Sequence, residues 1–469
     1  MYNMLKHQKN DIVTTTILSL GINGEGIGRL EDAPVFVPFT LQDEVVEVKI
    51  IKVEKTFYIG KLVNLVEKSK NRVIAPCPVF TKCGGCQLQH LNYSEQLNFK
   101  TNLVVETLKK VGNIDASVNT CIKSENEYNY RNKISLPIRE IDGQVKTGFY
   151  GNNSHRIIEI DACPLQQELT NKVIKVVKEF LNKYSVPVYN DDKKTGLIKH
   201  LVAREFRGAI LVAVVINGTK MPHADELYKT LKQRFNNVTL YLNHNTKDNN
   251  VILGETNTLV GGHPFLEEEL HSIKLNTGVV SFMQINNDIR NKMYAEALDK
   301  VNAFLPDVII DAYSGAGLLS GIFAKNTNAK VIGLEIVEEA VKSSNEMLKQ
   351  NGLQNRVKNI LGDCSLTLPQ AIKNIQGKTT LVIDPPRKGL DKSIVKTVLD
   401  AKPEQIIYIA CGLTTLSRDL GYLLNTKDLE TDKVVETPNA IYELVSVTPY
   451  DMFPQTKHVE TLVELRLKK

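Results

Sequence analysis

The 469-residue sequence predicts a doubly wound, Rossmann-like α/β domain toward its C-terminal end, preceded by a small β-barrel and a central α+β domain. Three observations carry this. From Val308 to Cys411, β-branched apolar runs alternate with helical periodicity, the pattern of a parallel sheet covered by helices. Residues 11–65 alternate β-branched and polar side chains around glycine turns, the pattern of a closed barrel of the oligonucleotide-binding kind. Between the two, residues 67–275 mix helical stretches with strands and contain a cluster of cysteines. The expected domains are residues 1–66, 67–275 and 276–469.

Composition narrows the class. A hydrophobic share of 42% with 24% charged residues is that of a soluble chain with ample core. The longest apolar run, Ala209 to Ile216, is far shorter than the ~18 residues of a membrane span. Met1–Asn10 is polar and lacks an apolar signal region, so a cytoplasmic monomer is expected, its cysteines reduced or bound to metal. A net charge of +5 permits an RNA partner without demanding one.

In chain order, the barrel region is built around Gly21-Ile22-Asn23-Gly24-Glu25-Gly26-Ile27-Gly28-Arg29, and its acidic residues outnumber the basic ones. Any nucleic-acid contact there would use a local face. Residues 66–135 hold ten Lys or Arg against six Asp or Glu, and within them stand Cys77, Cys83 and Cys86. Clustered thiols in a reducing compartment point to a metal. Zinc is one reading. An iron–sulfur cluster is favoured because Cys77 and the distant Cys163 both precede proline and glycines fill the turn, which makes Cys163 the expected fourth ligand. Cys121 and Cys364 read as packing residues, and His90 as structural rather than ligating.

The central region is expected to place helices near Ser94–Val111, Gln166–Tyr184 and Met221–Phe235, with strands such as Lys133–Ile138 and Ala209–Ile216. Tyr130-Arg131-Asn132-Lys133 and Lys199-His200-Leu201-Val202-Ala203-Arg204 form basic spots on strand edges, expected as phosphate contacts or as solvated faces.

The C-terminal domain opens with the strand Val308–Tyr313, then Ser314-Gly315-Ala316-Gly317 and an apolar helical segment. Glycines there let backbone N–H groups approach an anion or nucleotide at a helix N-terminus. The next strand ends in Glu335, 20 residues after Gly315, where a doubly wound fold places the acid that bonds ribose hydroxyls. Asp363 closes the third strand and is expected to accept from an adenine amino group. A dinucleotide dehydrogenase and an S-adenosylmethionine (AdoMet) methyltransferase share this opening. The fourth strand distinguishes them: it ends in Asp384-Pro385-Pro386-Arg387, a rigid lip of the kind found in AdoMet methyltransferases acting on planar bases. The fifth delivers Cys411 to the same edge before an expected capped helix whose N-terminus would lower the thiol pKa. Cys411 is thus placed like a nucleophile. Near the end stands Lys457-His458-Val459-Glu460, where strand periodicity alone makes Glu460 an exposed carboxylate.

The glycine-rich barrel, the Cys77/Cys83/Cys86/Cys163 set, Ser281-Phe282-x-Gln284, Asp311-x-Tyr313-Ser314-Gly315-x-Gly317, Asp384-Pro385-Pro386-Arg387-Lys388-Gly389, Cys411 and His458-Val459-Glu460, in this order, resemble RNA uridine-5 methyltransferases with a TRAM domain. The resemblance spans essentially the whole chain. It implies a uridine substrate in RNA, in first place 23S ribosomal RNA and in second place transfer RNA, and a [4Fe–4S] cluster. It also implies AdoMet contacts for Gln284, Tyr313, Glu335 and Asp384, with Cys411 as nucleophile and Glu460 as general base. One departure is that Cys411 is followed by Gly412-Leu413 where the family usually has Asn-Pro, from which a looser turn is expected. Two other readings compete. One is an AdoMet enzyme methylating an exocyclic amine with Cys411 inert, and the other is a non-catalytic RNA-binding or ribosome-assembly factor.

Overall fold

The computed structural model describes residues 5–31, 33–152, 154, 156–373 and 375–468. The first region closes into a five-stranded barrel of Ile12–Leu20, Gly26–Arg29, Pro34–Val37, Val45–Val53 and Tyr58–Glu67. Its alternation turns Ile17, Val35, Val37, Val46, Val48 and Ile50 into one interior, because successive side chains of a strand point to opposite faces.

The middle of the chain forms a seven-stranded sheet in the order Thr256–Gly261, Asn237–His244, Ala209–Ile216, Ile198–Phe206, Lys133–Ile141, Gln144–Tyr150 and Ile157–Glu159. Helix Glu168–Lys183 buries Val173, Ile174, Val177, Phe180 and Leu181, a stripe at helical spacing, against one face. Helix Ala224–Arg234 is the crossover between the sheet's one parallel pair among the described residues, Ala209–Ile216 and Asn237–His244.

The basic spots expected at phosphates are instead largely internal. The Arg204 guanidinium is buried and donates to the Ser281 carbonyl at 2.7 Å. The Lys199 ammonium donates to the carbonyls of Asn245 at 3.2 Å and Lys247 at 2.9 Å. Burial lowers the Lys133 ammonium to about 8. Long cationic side chains on a central strand can be retained when carbonyl oxygens replace water, and that is how these are used.

In the C-terminal sheet the strands are labelled β1 (Val308–Ala312), β2 (Lys330–Glu335), β3 (Val357–Leu361), β4 (Thr379–Ile383), β5 (Gln405–Ala410), β6 (Tyr442–Tyr450) and β7 (Glu460–Leu467). Their order is β3-β2-β1-β4-β5-β7-β6. β1 to β5 are parallel, and β7 inserts antiparallel between β5 and β6. Helices cover both faces. Asn287–Phe304, Leu318–Asn326 and Glu338–Gln350 pack on one, and Cys364–Lys373, Lys392–Ala401 and Leu413–Leu423 on the other. Helix Tyr93–Thr107, although early in the chain, buries Val104 in this second core and so belongs with the C-terminal sheet.

The helix after β5 starts at Leu413, with Gly412 at its cap position and no capping side chain, so the expected side-chain cap is absent. Nor is the turn loose. A Cβ at Gly412 would lie 2.9 Å from the Arg387 carbonyl oxygen and 2.7 Å from Thr415 Oγ1, and Thr415 Oγ1 itself donates to Arg387 at 3.0 Å. Close packing against the Asp-Pro-Pro-Arg lip takes the place of a rigid proline.

A buried ion pair, Arg290 with Glu268 at 3.0 Å, ties the helix Asn287–Phe304 to the hairpin Leu266–Leu270/Ile273–Thr277. Removing one member of such a pair leaves an uncompensated buried charge. Arg290→Ala is expected to lower the unfolding free energy by about 3–5 kcal/mol in urea titrations, and the Arg290→Ala/Glu268→Ala double variant by less than the sum of the single losses.

Candidate active site

A cavity of about 1080 Å³ opens at the carboxyl edge of the sheet, beside the point where strand order reverses between β1 and β4. That exceeds the ~300–1,000 Å³ of a pocket for one small ligand and leaves room for a cofactor beside a nucleoside. Gln284, Tyr313, Asp384, Cys411 and Glu460 all line it, together with Arg387, Asp311, Phe282 and Arg131.

The glycine turn forms the floor. Gly315 and Gly317 have φ of +53° and +77°, and a Cβ at Gly317 would lie 2.0 Å from Ser344 Oγ, so the turn reaches this shape only without a side chain there. Tyr313 also sits at φ +64°, an uncommon conformation for a bulky residue that turns the chain sharply out of β1. Glu335 is not among the cavity-lining residues. Its Oε2 accepts from the Gly315 N–H at 2.8 Å and its Oε1 from the Val337 N–H at 2.8 Å, so this carboxylate braces the turn that a ligand would meet. Asp363 is exposed and accepts from the Ser365 N–H at 2.8 Å at the start of helix Cys364–Lys373.

Sheet register brings the thiol and the carboxylate together. β5 pairs with β7 as far as Ala410 and Thr461, the neighbours of Cys411 and Glu460, and the Glu460 charge acts on the thiol across this strand end. β1 pairs with β4 so that Ala312 faces Ile383, and one residue further Tyr313 stands beside Asp384. Four functional candidates from four strands thus reach one edge by pairing alone. Glu460 is buried, not exposed as periodicity implied, because β7 is flanked by β5 and β6 and covered on both faces.

Burial has electrostatic consequences. Desolvation, reinforced by the nearby Asp384, raises the Glu460 carboxyl to about 8. Desolvation and Asp311 raise Asp384 to about 7, and Asp311, which accepts from Ser320 Oγ at 2.6 Å, is itself raised to about 6. The Cys411 thiol is also pushed up, by burial and then by the Glu460 charge, with Arg387 pulling the other way. This reverses the expectation that the helix N-terminus would dominate. Arg387 is the cation that acts on both Cys411 and Glu460, and only its place in the Asp-Pro-Pro-Arg motif hinted at it.

The second predicted constellation also assembles. Cys77, Cys83, Cys86 and Cys163 line a cavity of about 50 Å³ with Gln89, Arg131 and Phe149. All four are free thiols. Among the described residues no three His, Cys, Asp or Glu side chains converge tightly enough to hold a single ion. His90 does not line this cavity; it packs against Phe39 and Phe80, and burial drives its pKa down to about 3. Cys121 and Cys364 are buried packing residues.

Comparison with known proteins is consistent across sequence and structure. The family model described as tRNA (uracil-5-)-methyltransferase matches residues 92–468, and that of the TRAM domain matches residues 6–63. Proteins of Clostridium acetobutylicum and Halalkalibacterium halodurans, each described as an uncharacterized RNA methyltransferase, are similar to it. The first is 38% identical across 99% of both chains, and the second 35% identical across 98% of both. The crystal structure of Pyrococcus abyssi tRNA (uracil-54, C5)-methyltransferase with S-adenosyl-L-homocysteine superposes with a TM-score of 0.74 at 25% identity, covering 96% of this chain and 99% of that one.

Stability should report the buried acids. A carboxyl whose folded pKa lies above its unfolded value costs stability progressively as pH rises from the unfolded value of 4.5 to the folded value of about 8. Glu460→Gln is therefore expected to raise the melting temperature, with a gain larger at pH 8.5 than at pH 5 in calorimetry.

Proposed function

This chain belongs to the tRNA (uracil-5-)-methyltransferase family and is an AdoMet-dependent RNA methyltransferase, and from that premise we propose that it forms 5-methyluridine with Cys411 as nucleophile and Glu460 as general base. The observation that carries the proposal is that β5 and β7, paired as far as Ala410 and Thr461, deliver the adjacent Cys411 and Glu460 to one cavity with Gln284, Tyr313 and Asp384.

The chemistry needs this pair. Uracil C5 is too weak a nucleophile to take a methyl group unaided. The Cys411 thiolate adds to C6, and the electron pair displaced toward C5 and O4 makes C5 nucleophilic. AdoMet, when bound, supplies the electrophilic methyl group. Glu460 then removes the C5 proton, and the C–H electrons restore the C5–C6 double bond and expel the Cys411 thiolate. Gln284, Tyr313 and Asp384 hold the cofactor against this edge, with Glu335 keeping the glycine turn in shape. Arg387 offsets the charge on the thiolate. A base stacked in a helix cannot reach the cavity, so the uridine enters unpaired or flipped, at a cost of a few kcal/mol.

The four cysteines fit a cluster better than one zinc, which requires four ligands near ~2.3 Å from a single point. Cys77, Cys83, Cys86 and Cys163 would hold a [4Fe–4S] cluster, whose chemistry here is to hold the loop 77–86 to the central sheet. Purified anaerobically, the protein is expected to carry about four irons per chain and a broad thiolate-to-iron absorption band, both lost in Cys86→Ser.

The substrate proposed first is 23S ribosomal RNA, on the resemblance of the barrel and four-cysteine set to enzymes acting there. Transfer RNA is the second reading, supported by the likeness to the Pyrococcus abyssi enzyme. The protein is proposed to act as a cytoplasmic monomer. Among the described residues no helix is long and apolar enough to cross a membrane.

Incubation with methyl-labelled AdoMet and either unmodified 23S ribosomal RNA or transfer RNA, then nucleoside analysis, is expected to give 5-methyluridine from one of them. Cys411→Ala should abolish it. Methylation of an exocyclic amine, or activity surviving Cys411→Ala, would overturn the proposal. Because Glu460 acts deprotonated in the release step and burial raises it, kcat is expected to rise with pH through about 8 where release limits turnover, while kcat/KM, which depends on the Cys411 thiolate, is expected to keep rising above the ordinary thiol range.

A further inference from the structure

Between β6 and β7 runs an irregular segment, residues 451–459, that ends at Glu460. It is buried despite having no regular structure, with Asp451, Gln455 and Thr456 at 0%, 1% and 2% exposure. Backbone polar groups in such a segment must find partners outside a helix or ladder. The chief ones come from residues 87–130, more than 300 positions earlier in the chain.

Gln96, itself fully buried on helix Tyr93–Thr107, holds the centre. Its Nε2 donates to Gln455 Oε1 at 2.9 Å and its Oε1 accepts from the Gln455 N–H at 3.0 Å. The same Nε2 donates to the carbonyls of Leu91 at 2.8 Å and Leu88 at 3.2 Å, which joins helix, cysteine loop and segment. From that loop, the N–H groups of Leu88 and Gln87, directly after Cys86, donate to the Gln455 carbonyl at 3.0 and 3.2 Å. Gln87 Oε1 accepts from the Lys457 N–H at 3.3 Å. Lys100, one turn after Gln96, donates to the Phe453 carbonyl at 3.0 Å and forms a wholly buried ion pair with Asp451. Tyr130 Oη donates to the Pro454 carbonyl at 3.0 Å. At the centre, Gln455 has φ +71°, a conformation that a non-glycine residue keeps only where its surroundings impose it.

Glu460 needs such a support. Burial and the charges of Asp384 and Arg387 act on its carboxylate, and none of the described residues hydrogen-bonds to it. Its position comes from the backbone alone: from the β5–β7 register on one side and segment 451–459 on the other.

We propose that Gln96, Gln87 and Lys100 form a clamp that positions Glu460 for proton removal, so that the cysteine loop acts on the last step of the reaction through Gln455. The inference rests on Glu460 being the base. It makes Gln96 a positioning residue, remote in sequence and touching no substrate. It also gives the thiol loop a mechanical role, since Cys86 is one residue from the first of these bonds.

The prediction separates steps. Thiolate addition and methyl transfer do not use Glu460, whereas release does. Gln96→Met, which keeps the volume and removes both bonds to Gln455, should let the covalent enzyme–RNA adduct accumulate at steady state. The expected rise is about tenfold over the unsubstituted protein, with kcat/KM for AdoMet unchanged because kcat and KM fall together. The readout is the shifted band on a denaturing gel with end-labelled substrate RNA. Glu460→Gln is the reference and should accumulate more. Gln87→Ala, on a partly exposed side chain, should accumulate less, and it serves as the test should Gln96→Met fold poorly by circular dichroism. Adduct with Glu460→Gln but with neither clamp variant overturns the clamp and leaves the base in place. No adduct with Glu460→Gln overturns the base assignment and the clamp with it.

Discussion

Pairing of β5 with β7 is the constraint on which the site depends. A doubly wound sheet presents ligands only to the carboxyl ends of parallel strands, and the carboxyl that β4 brings to that edge beside the β5 thiol, Asp384, is the one proposed to hold the cofactor. Inserting β7 antiparallel beside β5 supplies another, because the amino end of β7 then lies at the carboxyl edge. The residue that begins β7 is Glu460, and the residue that follows β5 is Cys411. A slip by one residue would turn Glu460 to the other face of the sheet.

This arrangement has an electrostatic cost that the rest of the molecule offsets. Three carboxyl groups around one cavity, the buried Asp311 and Glu460 and the half-buried Asp384, are raised to about 6, 8 and 7. Each is held by a well-packed strand end. Such groups persist because core packing from both helical layers exceeds what they lose, and proteins retain destabilised groups mainly where chemistry uses them. A carboxyl that titrates near 8 suits removal of a carbon-bound proton far better than one near 4.

Much of this was legible in sequence, and the parts that were not share a physical cause. The glycine turn, the Asp-Pro-Pro lip and the thiol after β5 were readable because each is a local pattern with a local purpose. The barrel and the four-thiol set were readable for the same reason. Periodicity alone made Glu460 exposed because alternation assumes one wet face, and β7 has none; only the resemblance pointed it to a pocket. Lys199 and Arg204 looked like phosphate contacts because composition does not reveal which carbonyl oxygens lie within reach. The thiol of Cys411 was expected to ionise readily from its helix terminus, while burial first, and then the carboxylates at β7's start and after β4's end, oppose this. Gln96 and Gln455 carry no pattern at all; they meet only because helix Tyr93–Thr107 packs on the C-terminal sheet rather than on its neighbours in sequence.

The division of labour between thiol and carboxylate is the central claim, and one measurement reaches it directly. Substrate RNA made with 5-fluorouridine carries, at C5, an atom that a carboxylate cannot remove as a cation. If Cys411 adds at C6 and Glu460 acts only after methyl transfer, the reaction must stop at a stable covalent complex. Mass spectrometry of the digested complex is predicted to find methylated fluorouridine attached to the peptide containing Cys411, in an amount that grows only when AdoMet is present. No complex, or a complex on any other residue, would contradict the account.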